Sequence, residues 1–337
     1  MITYPFLKQA ATIGVTAPSS GVPAELHDLV KLACTRLEQD GFQTIIGETV
    51  WTEDKAKSAP ALKRAVEFND MIADDDIDII LPPWGGDLLV EILEHLDFET
   101  MKTKWVLGYS DVSGLLLAIT LKTGIATAHG TNLIDLRGEF SDETTAMWRA
   151  VLSTNTGDSI HQRSSKLYQK AWNHSNPSPC VFQLTEPTVW KTVSGQTEKI
   201  HGRLLGGCID IIRHLVGTPF GDVAGFRTQH IPGEPVIWYL ENCELNTADL
   251  RRSLVQMKLA GWFDNCSGLM FGRGPNIPVK NYYVEDVYKD LANELGIPII
   301  YDIDCGHIPP QMTFINGAFA EVEVGGGTGT VRQTFRP

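Results

Sequence analysis

Along the first half of the chain, short apolar runs alternate with longer stretches whose apolar residues recur every three or four positions. The run "ATIGVTAPSS" reads as a buried strand that ends in a Pro-Ser loop, and "PAELHDLVKLACTRLEQDGF" then places Leu26, Leu29, Val30, Ala33 and Leu37 at helical spacing before Gly41. "QTIIGETV" is a second strand, and "PALKRAVEFNDMIADDDI" sets Leu62, Ala65, Val66, Asn69 and Ile72 on one helical face. "DIDIILPPWGGD", "KWVLGYSD" and "IATAHGTN" read as the third, fourth and fifth strands, with helices expected at "LLVEILEHL" and "VSGLLLAITLKTG" between them. Strands separated by helices predict a parallel sheet covered on both faces. Ligands of such sheets bind beyond the carboxyl ends of the strands. The loops there are "APSS", "PPWGGD", "GYSD" and "AHGTN", expected to converge on one edge.

The pattern breaks at about residue 155. From 156 to 200 the chain is polar and interrupted by Pro and Gly, which reads as a linker or loop layer between a domain over 1–155 and another over 201–337. The second half predicts short strands at "KTVSG", "KIHGRLLGG", "PVIWYLEN", "GLMFGRG", "IPIIYDID", "QMTFING" and "AFAEVEVGGGTGTVRQTF". Helices are expected at "CIDIIRHLVG", "TADLRRSLVQMKLAG" and "VEDVYKDLANELG", giving a mixed α/β or partly barrel-like domain. "GGGTGT" opens no helix and sits between two β-like runs, so it reads as a hairpin turn rather than a phosphate loop.

Composition narrows the field. Across 337 residues, 43% are hydrophobic and 20% charged, ordinary for a globular protein with room for two cores. The net charge of −13 argues against nucleic acid or an anionic membrane as partner. No signal peptide or membrane-length apolar stretch is visible, and the expected location is the cytoplasm. The six cysteines include no CxxC pair, which fits reduced thiols rather than a disulfide framework or a zinc site.

Candidate chemistry lies at the strand ends. Ser110 and Asp111 occupy the seam between the fourth strand and its helix: either a nucleophile on an elbow, with the Asp111 amide free to stabilise an oxyanion, or simple N-caps. The surroundings are not G-x-S-x-G, since Val112 stands at the second glycine. Gly85 and Gly86 either make a tight turn or bring backbone amides close to a ligand. Glu241 emerges directly from an apolar strand, and His307 follows another just before Pro-Pro; both can be solvated loop residues or an acid and a base. Glu244 is a rival acid, and His129 reads as pocket-lining or structural.

Taken together, "IGVTAPSS", "AVEFNDMIADDDIDIILPPWGGDLLVEILEHLDF", "KWVLGYSDVSGLLLAITLKTGIATAHG", "GRLLGGCIDIIRHLVGTP", "YLENCE" and "DCGHIPPQMTFINGAFAEV" resemble, in order, the L,D-carboxypeptidase family of serine peptidases, which includes the microcin C self-immunity peptidases. The resemblance implies an N-terminal Rossmann-like sheet, a C-terminal domain around a small β-barrel, and commonly a homodimer. It implies Ser110 as nucleophile, His307 as base and acid, and Glu241 as the carboxylate that orients it, with Asp111 and Gly85 or Gly86 forming the oxyanion hole. No metal or cofactor is implied. "PPWGGDLL" replaces the Arg-Gly-Gly-Tyr type loop of the muropeptide-trimming branch, and the 156–200 segment is long, which leans towards the microcin-immunity-like branch and a peptide-nucleotide substrate. The alternative is release of terminal D-alanine from a cell-wall tetrapeptide; a non-catalytic peptide binder is the rival from another class. Trp172 and Trp190 are candidates to stack on a nucleotide, and Cys208, where the family often has Asn, is a candidate substrate contact.

Overall fold

The computed structural model describes residues 1–170 and 179–337. In its first half, β1 (Thr12–Val15), α1 (His27–Gln39), β2 (Gln43–Ile46), α2 (Ala61–Ala73), β3 (Ile79–Ile80), β4 (Trp105–Gly108), α3 (Val112–Thr123), β5 (Thr127–His129) and the short α4 (Trp148–Leu152) follow one another. The second half contains β6 (Ser159–Arg163), β7 (Leu167–Tyr168), β8 (Glu186–Pro187), β9 (Lys191–Thr192), β10 (Glu198–Cys208), α5 (Ile209–Ile212), α6 (Val223–His230), β11 (Val236–Glu241), α7 (Thr247–Leu259), β12 (Cys266–Gly272), α8 (Val284–Leu295), β13 (Ile299–Ile303), β14 (Phe314–Asn316), β15 (Phe319–Gly325) and β16 (Thr328–Thr334).

Two large sheets result. The first runs β14-β5-β4-β3-β1-β2, and its first five strands in the chain are mutually parallel. Its outer strand β14 pairs antiparallel with β5 through Phe314–His129 and Asn316–Thr127, although it comes from the far end of the chain. The second sheet runs β6-β16-β15-β10-β11-β12-β13-β9. β10, β11, β12 and β13 are parallel, and antiparallel strands flank them on both sides.

The Rossmann-like N-terminal sheet and mixed α/β second half match the sequence expectation. The barrel does not: among the described residues the end strands β6 and β9 pair with different neighbours and not with each other, so the sheet stays open. The segment 156–200 is also more than a linker, because β6 and β9 supply both ends of that sheet. Five-residue β6 holds only one buried side chain, Gln162, so it lacks the apolar alternation that marks a strand in sequence. The stretch 89–95 forms 3₁₀ turns rather than an α-helix.

On α2 the buried stripe is Arg64, Ala65, Phe68, Met71 and Ile72, whereas Leu62 and Val66 face solvent. The buried face is thus rotated by about one residue from the expected one, with Arg64 as a core position. α3 shows the opposite behaviour. From Val112 to Leu121 every residue is buried, with no polar face, because it packs against β4 and β5 on one side and β10 on the other. This helix therefore sits between the sheets, and its N-terminus opens where the carboxyl ends of the parallel strands of both sheets meet. Within the described residues no helix is long and apolar enough to cross a membrane.

Candidate active site

Five strand ends supply the site. β4 runs out at Gly108, the chain turns through Tyr109 and Ser110, and α3 begins at Val112. Ser110 has φ +64°, a left-handed conformation that serine rarely adopts. Such a residue is held in place by its surroundings rather than by its own preference. The turn projects Oγ away from both flanking elements, as an elbow does. A plain cap would look different: the Asp111 side chain makes no bond to the first turn of α3. Instead its buried carboxylate accepts from the Leu89 amide at 2.8 Å and from the Ser19 hydroxyl. Burial pushes its pKa up against the pull of those donors. Asp111 thus ties the elbow to the first-strand loop and to the segment after Gly-Gly.

Across the interface, His307 Nε2 lies 3.0 Å from Ser110 Oγ, and His307 Nδ1 lies 3.0 Å from Glu241 Oε2. A carboxylate beside Nδ1 fixes the tautomer, so Nδ1–H donates to Glu241 and Nε2 accepts from the serine hydroxyl. Glu241 ends β11 and is fully buried. Burial favours its neutral form, but His307, His129 and the Cys208 thiol together hold its pKa below the usual value. Burial likewise works against a charged His307, and the Glu241 carboxylate outweighs it, so the imidazole pKa is raised. The ring of Tyr109 packs edge-on against His307 at 5.2 Å between centroids.

Gly85 and Gly86 face this relay. A Cβ at Gly85 would stand 2.6 Å from Ser110 Oγ and 3.0 Å from the Asp111 nitrogen; one at Gly86 would strike the hydroxyls of Ser19 and Ser20. Only a bare backbone comes this close to the serine, which leaves room above Oγ between the Gly85 segment and the Asp111 amide. The Gly-Gly loop is anchored by the fully buried Arg64, which donates to the Pro18 and Leu88 carbonyls at 2.8 and 3.0 Å and to Glu91 at 2.6 Å.

The His307 loop has its own anchor. Asp304, buried, accepts from the Ser165 amide (2.8 Å) and hydroxyl (2.7 Å) and from Trp190 Nε1 (3.0 Å), and pairs with Arg273. Asp210 does the same beyond β11, accepting from the Cys243 and Glu244 amides at 2.9 Å each.

Ser110, Glu241, His307, Asp111, Gly85 and Gly86 are therefore brought together. Two other sequence candidates, Trp190 and Cys208, are not in the places expected. Trp190 is 1% exposed and packs inside the second-sheet core, so its face is closed to a ligand. Cys208 is equally buried and lies against the acid rather than on the cleft wall; burial and Glu241 push its thiol pKa up. Trp172 lies outside the described residues. Glu244 is exposed, and it is Glu241 that meets His307; His129 is buried with a pKa lowered to about 4 by burial, a neutral core residue. Sequence reading missed Arg64, Asp304 and Asp210. For Asp304 the signal was present: an acid at the end of an apolar strand, the same feature that singled out Glu241.

Models of the LD-carboxypeptidase N-terminal and C-terminal domains match residues 13–130 and 201–322. The chain belongs to the LD-carboxypeptidase family. It is similar to the probable murein peptide carboxypeptidase of Bacillus subtilis, 25% identical over 96% of this chain and 92% of that one. It is also similar to the microcin C7 self-immunity protein MccF of Escherichia coli, 24% identical over 82% of this chain and 80% of that one. Among solved structures, MccF in complex with glutamyl sulfamoyl guanosine shares its fold with a TM-score of 0.82 at 20% identity over the whole of both chains. A muramoyltetrapeptide carboxypeptidase from Oxalobacter formigenes gives 0.72 at 17% identity over 97% and 99% of the two chains.

The strained elbow makes a stability prediction. Ser110→Gly removes the left-handed penalty and Ser110→Ala retains it, so the glycine variant should be more stable than the alanine variant by about 1 kcal/mol, read from denaturant midpoints. Equal midpoints would mean that the backbone at 110 relaxes when the hydroxyl is lost.

Proposed function

We propose that Ser110 is the nucleophile of a serine carboxypeptidase that cleaves an amide bond through an acyl-enzyme. One observation carries this reading: a left-handed Ser110 whose Oγ is 3.0 Å from a histidine that is itself 3.0 Å from a buried carboxylate. His307 Nε2 takes the Ser110 proton as Oγ attacks the carbonyl carbon. The oxyanion is met by the Asp111 amide at the α3 N-terminus and an amide of Gly85 or Gly86. His307 then gives its proton to the leaving nitrogen, the C–N bond breaks, and water repeats the sequence on the ester. Glu241 holds the ring by Nδ1–H and stabilises the cation formed at each step. The groups that carry these steps are side chains and amides of this chain.

The substrate class we favour is a peptide-nucleotide or related carboxyamide, supported by the closer fold likeness to MccF than to the muramoyltetrapeptide enzyme. The curated relatives, at 24 and 25% identity, support a cell-wall tetrapeptide equally. A cytoplasmic homodimer without cofactor completes the proposal, resting on the family resemblance.

Mass spectrometry of products separates the readings. Wild type and Ser110→Ala are incubated with an aminoacyl sulfamoyl nucleoside and, separately, with a cell-wall tetrapeptide. Cleavage of the first by wild type alone is the expected result; loss of D-alanine from the second alone would move the protein to the wall-recycling branch. An active Ser110→Ala would remove the triad, and no turnover of either would favour the peptide binder.

The pH profile follows from the Glu241 charge. The base is neutral His307, so kcat/KM rises as pH passes upward through its pKa, and with that pKa raised the acid limb should lie above the ordinary value of ~6.5. Glu241→Gln removes the charge that favours the imidazolium. Its acid limb should move to lower pH, with a maximum rate lower by roughly 10²–10⁴-fold. A limb that stays in place would show that some other group is the base.

Gly85→Ala needs no unusual backbone angle, yet its methyl would collide with Ser110. A loss in kcat/KM of roughly 10²-fold or more is expected, with little change in melting temperature. Near wild-type activity would mean that the Gly-Gly loop stands aside during turnover.

A further inference from the structure

Two members of the relay also belong to a second donor set, completed by Cys208, a residue that hydrolysis does not use. Cys208 ends β10 and Glu241 ends β11, and the two are register partners on adjacent parallel strands. Neighbouring strands stand about 4.8 Å apart, so these side chains are placed abreast. His307 arrives above them on the loop after β13. A thiol sulfur, a carboxylate oxygen and an imidazole nitrogen from these three residues all lie within 4.8 Å of one another. Both Cys208 and Glu241 are buried, and the second oxygen of Glu241, Oε1, has no hydrogen-bond partner although it is closed off from water. A buried carboxylate oxygen without a donor is a costly arrangement, and a cation beside it would supply what is missing.

We propose that Cys208, Glu241 and His307 bind one thiophilic divalent cation, zinc first among them, and that its binding switches the hydrolase off. Sulfur, nitrogen and oxygen donors of these kinds are those that zinc prefers, and the thiolate excludes magnesium and calcium as serious competitors. Tetrahedral zinc holds ligands roughly 3.3–3.8 Å apart, so a movement of about 1 Å in the side chains closes the set. The Cys208 thiol gives up its proton to solvent as the metal–sulfur bond forms. Thiolate and carboxylate together then neutralise the dication, which a buried position requires. Solvent fills the fourth position of a tetrahedral site.

The consequence for turnover is direct. Whichever ring nitrogen binds the metal, His307 loses either its Glu241 bond or its Ser110 bond, and the metal-bound ring cannot accept the serine proton. This inhibitory half rests on His307 being the base; the binding half does not.

The test uses the full-length reduced protein with Co²⁺ and Zn²⁺ as probes. Expected for wild type is one equivalent of Co²⁺ with a thiolate-to-metal charge-transfer band in the near ultraviolet, displaced by Zn²⁺, and a zinc affinity measured by competition with a chromophoric chelator. Cys208→Ser and Cys208→Ala should each lose the band and weaken zinc binding by at least tenfold, with circular dichroism confirming that they are folded. Zinc should stop amide hydrolysis by wild type, and a chelator should restore it. No charge-transfer band in wild type, or undiminished zinc affinity in both folded Cys208 variants, overturns the site. Stoichiometric zinc binding at Cys208 with hydrolysis unimpaired overturns the switch and with it the role of His307 as base, while the metal site stands.

Discussion

Glu241 carries a charge where water does not reach, and a carboxylate in that position is tolerable only if something inside the protein answers it. His307 does so through Nδ1, and the rest of the architecture can be understood as the means of delivering that histidine. Asp304 fixes the loop from below by gathering Ser165, Trp190 and Arg273. Asp210 fixes the turn after Glu241 by taking two successive amides. Each anchor is itself an acid satisfied by donors from another segment. The relay is thus the innermost of several nested polar contacts, and its precision comes from the outer ones.

Ser110 reaches the relay by a different route. Its position is set by backbone geometry, through a left-handed residue between a fully buried strand and a helix buried from Val112 to Leu121. Asp111 locks that turn from within the N-terminal half, while α3 wedges between the two sheets. The nucleophile and its base therefore belong to different halves of the chain, and helix α3, packed on both, sets the distance between them. A shift of the halves by an ångström would break the 3.0 Å contact between Ser110 and His307.

Much of this was legible in the sequence, for an identifiable reason. Parallel strands buried on both faces announce themselves as apolar runs, and polar residues at their carboxyl ends stand out by contrast, which is how Ser110, Glu241 and His307 could be named. Residues whose role depends on tertiary partners were less visible. Arg64 looks like a surface charge until the carbonyls of Pro18 and Leu88 close around it. β6 has too few apolar positions to read as a strand, and it exists because β16 pairs with it. Trp190 looked like an open aromatic platform because nothing local shows that Asp304 would bury its ring nitrogen. Barrel closure was a borrowed expectation, and sheet closure depends on the pairing of strands far apart in the chain.

The outer strand β14 of the first sheet has a bearing on how the protein is made. It is encoded some 180 residues after its partner β5, so a ribosome that has finished the first half has released five strands with the sixth still unwritten. Until residues 314–316 have been made, the β5 edge offers unpaired amides and carbonyls to any passing strand. The nascent half-protein is therefore the most association-prone form of this chain, and chaperone demand should be concentrated before residue 314 emerges.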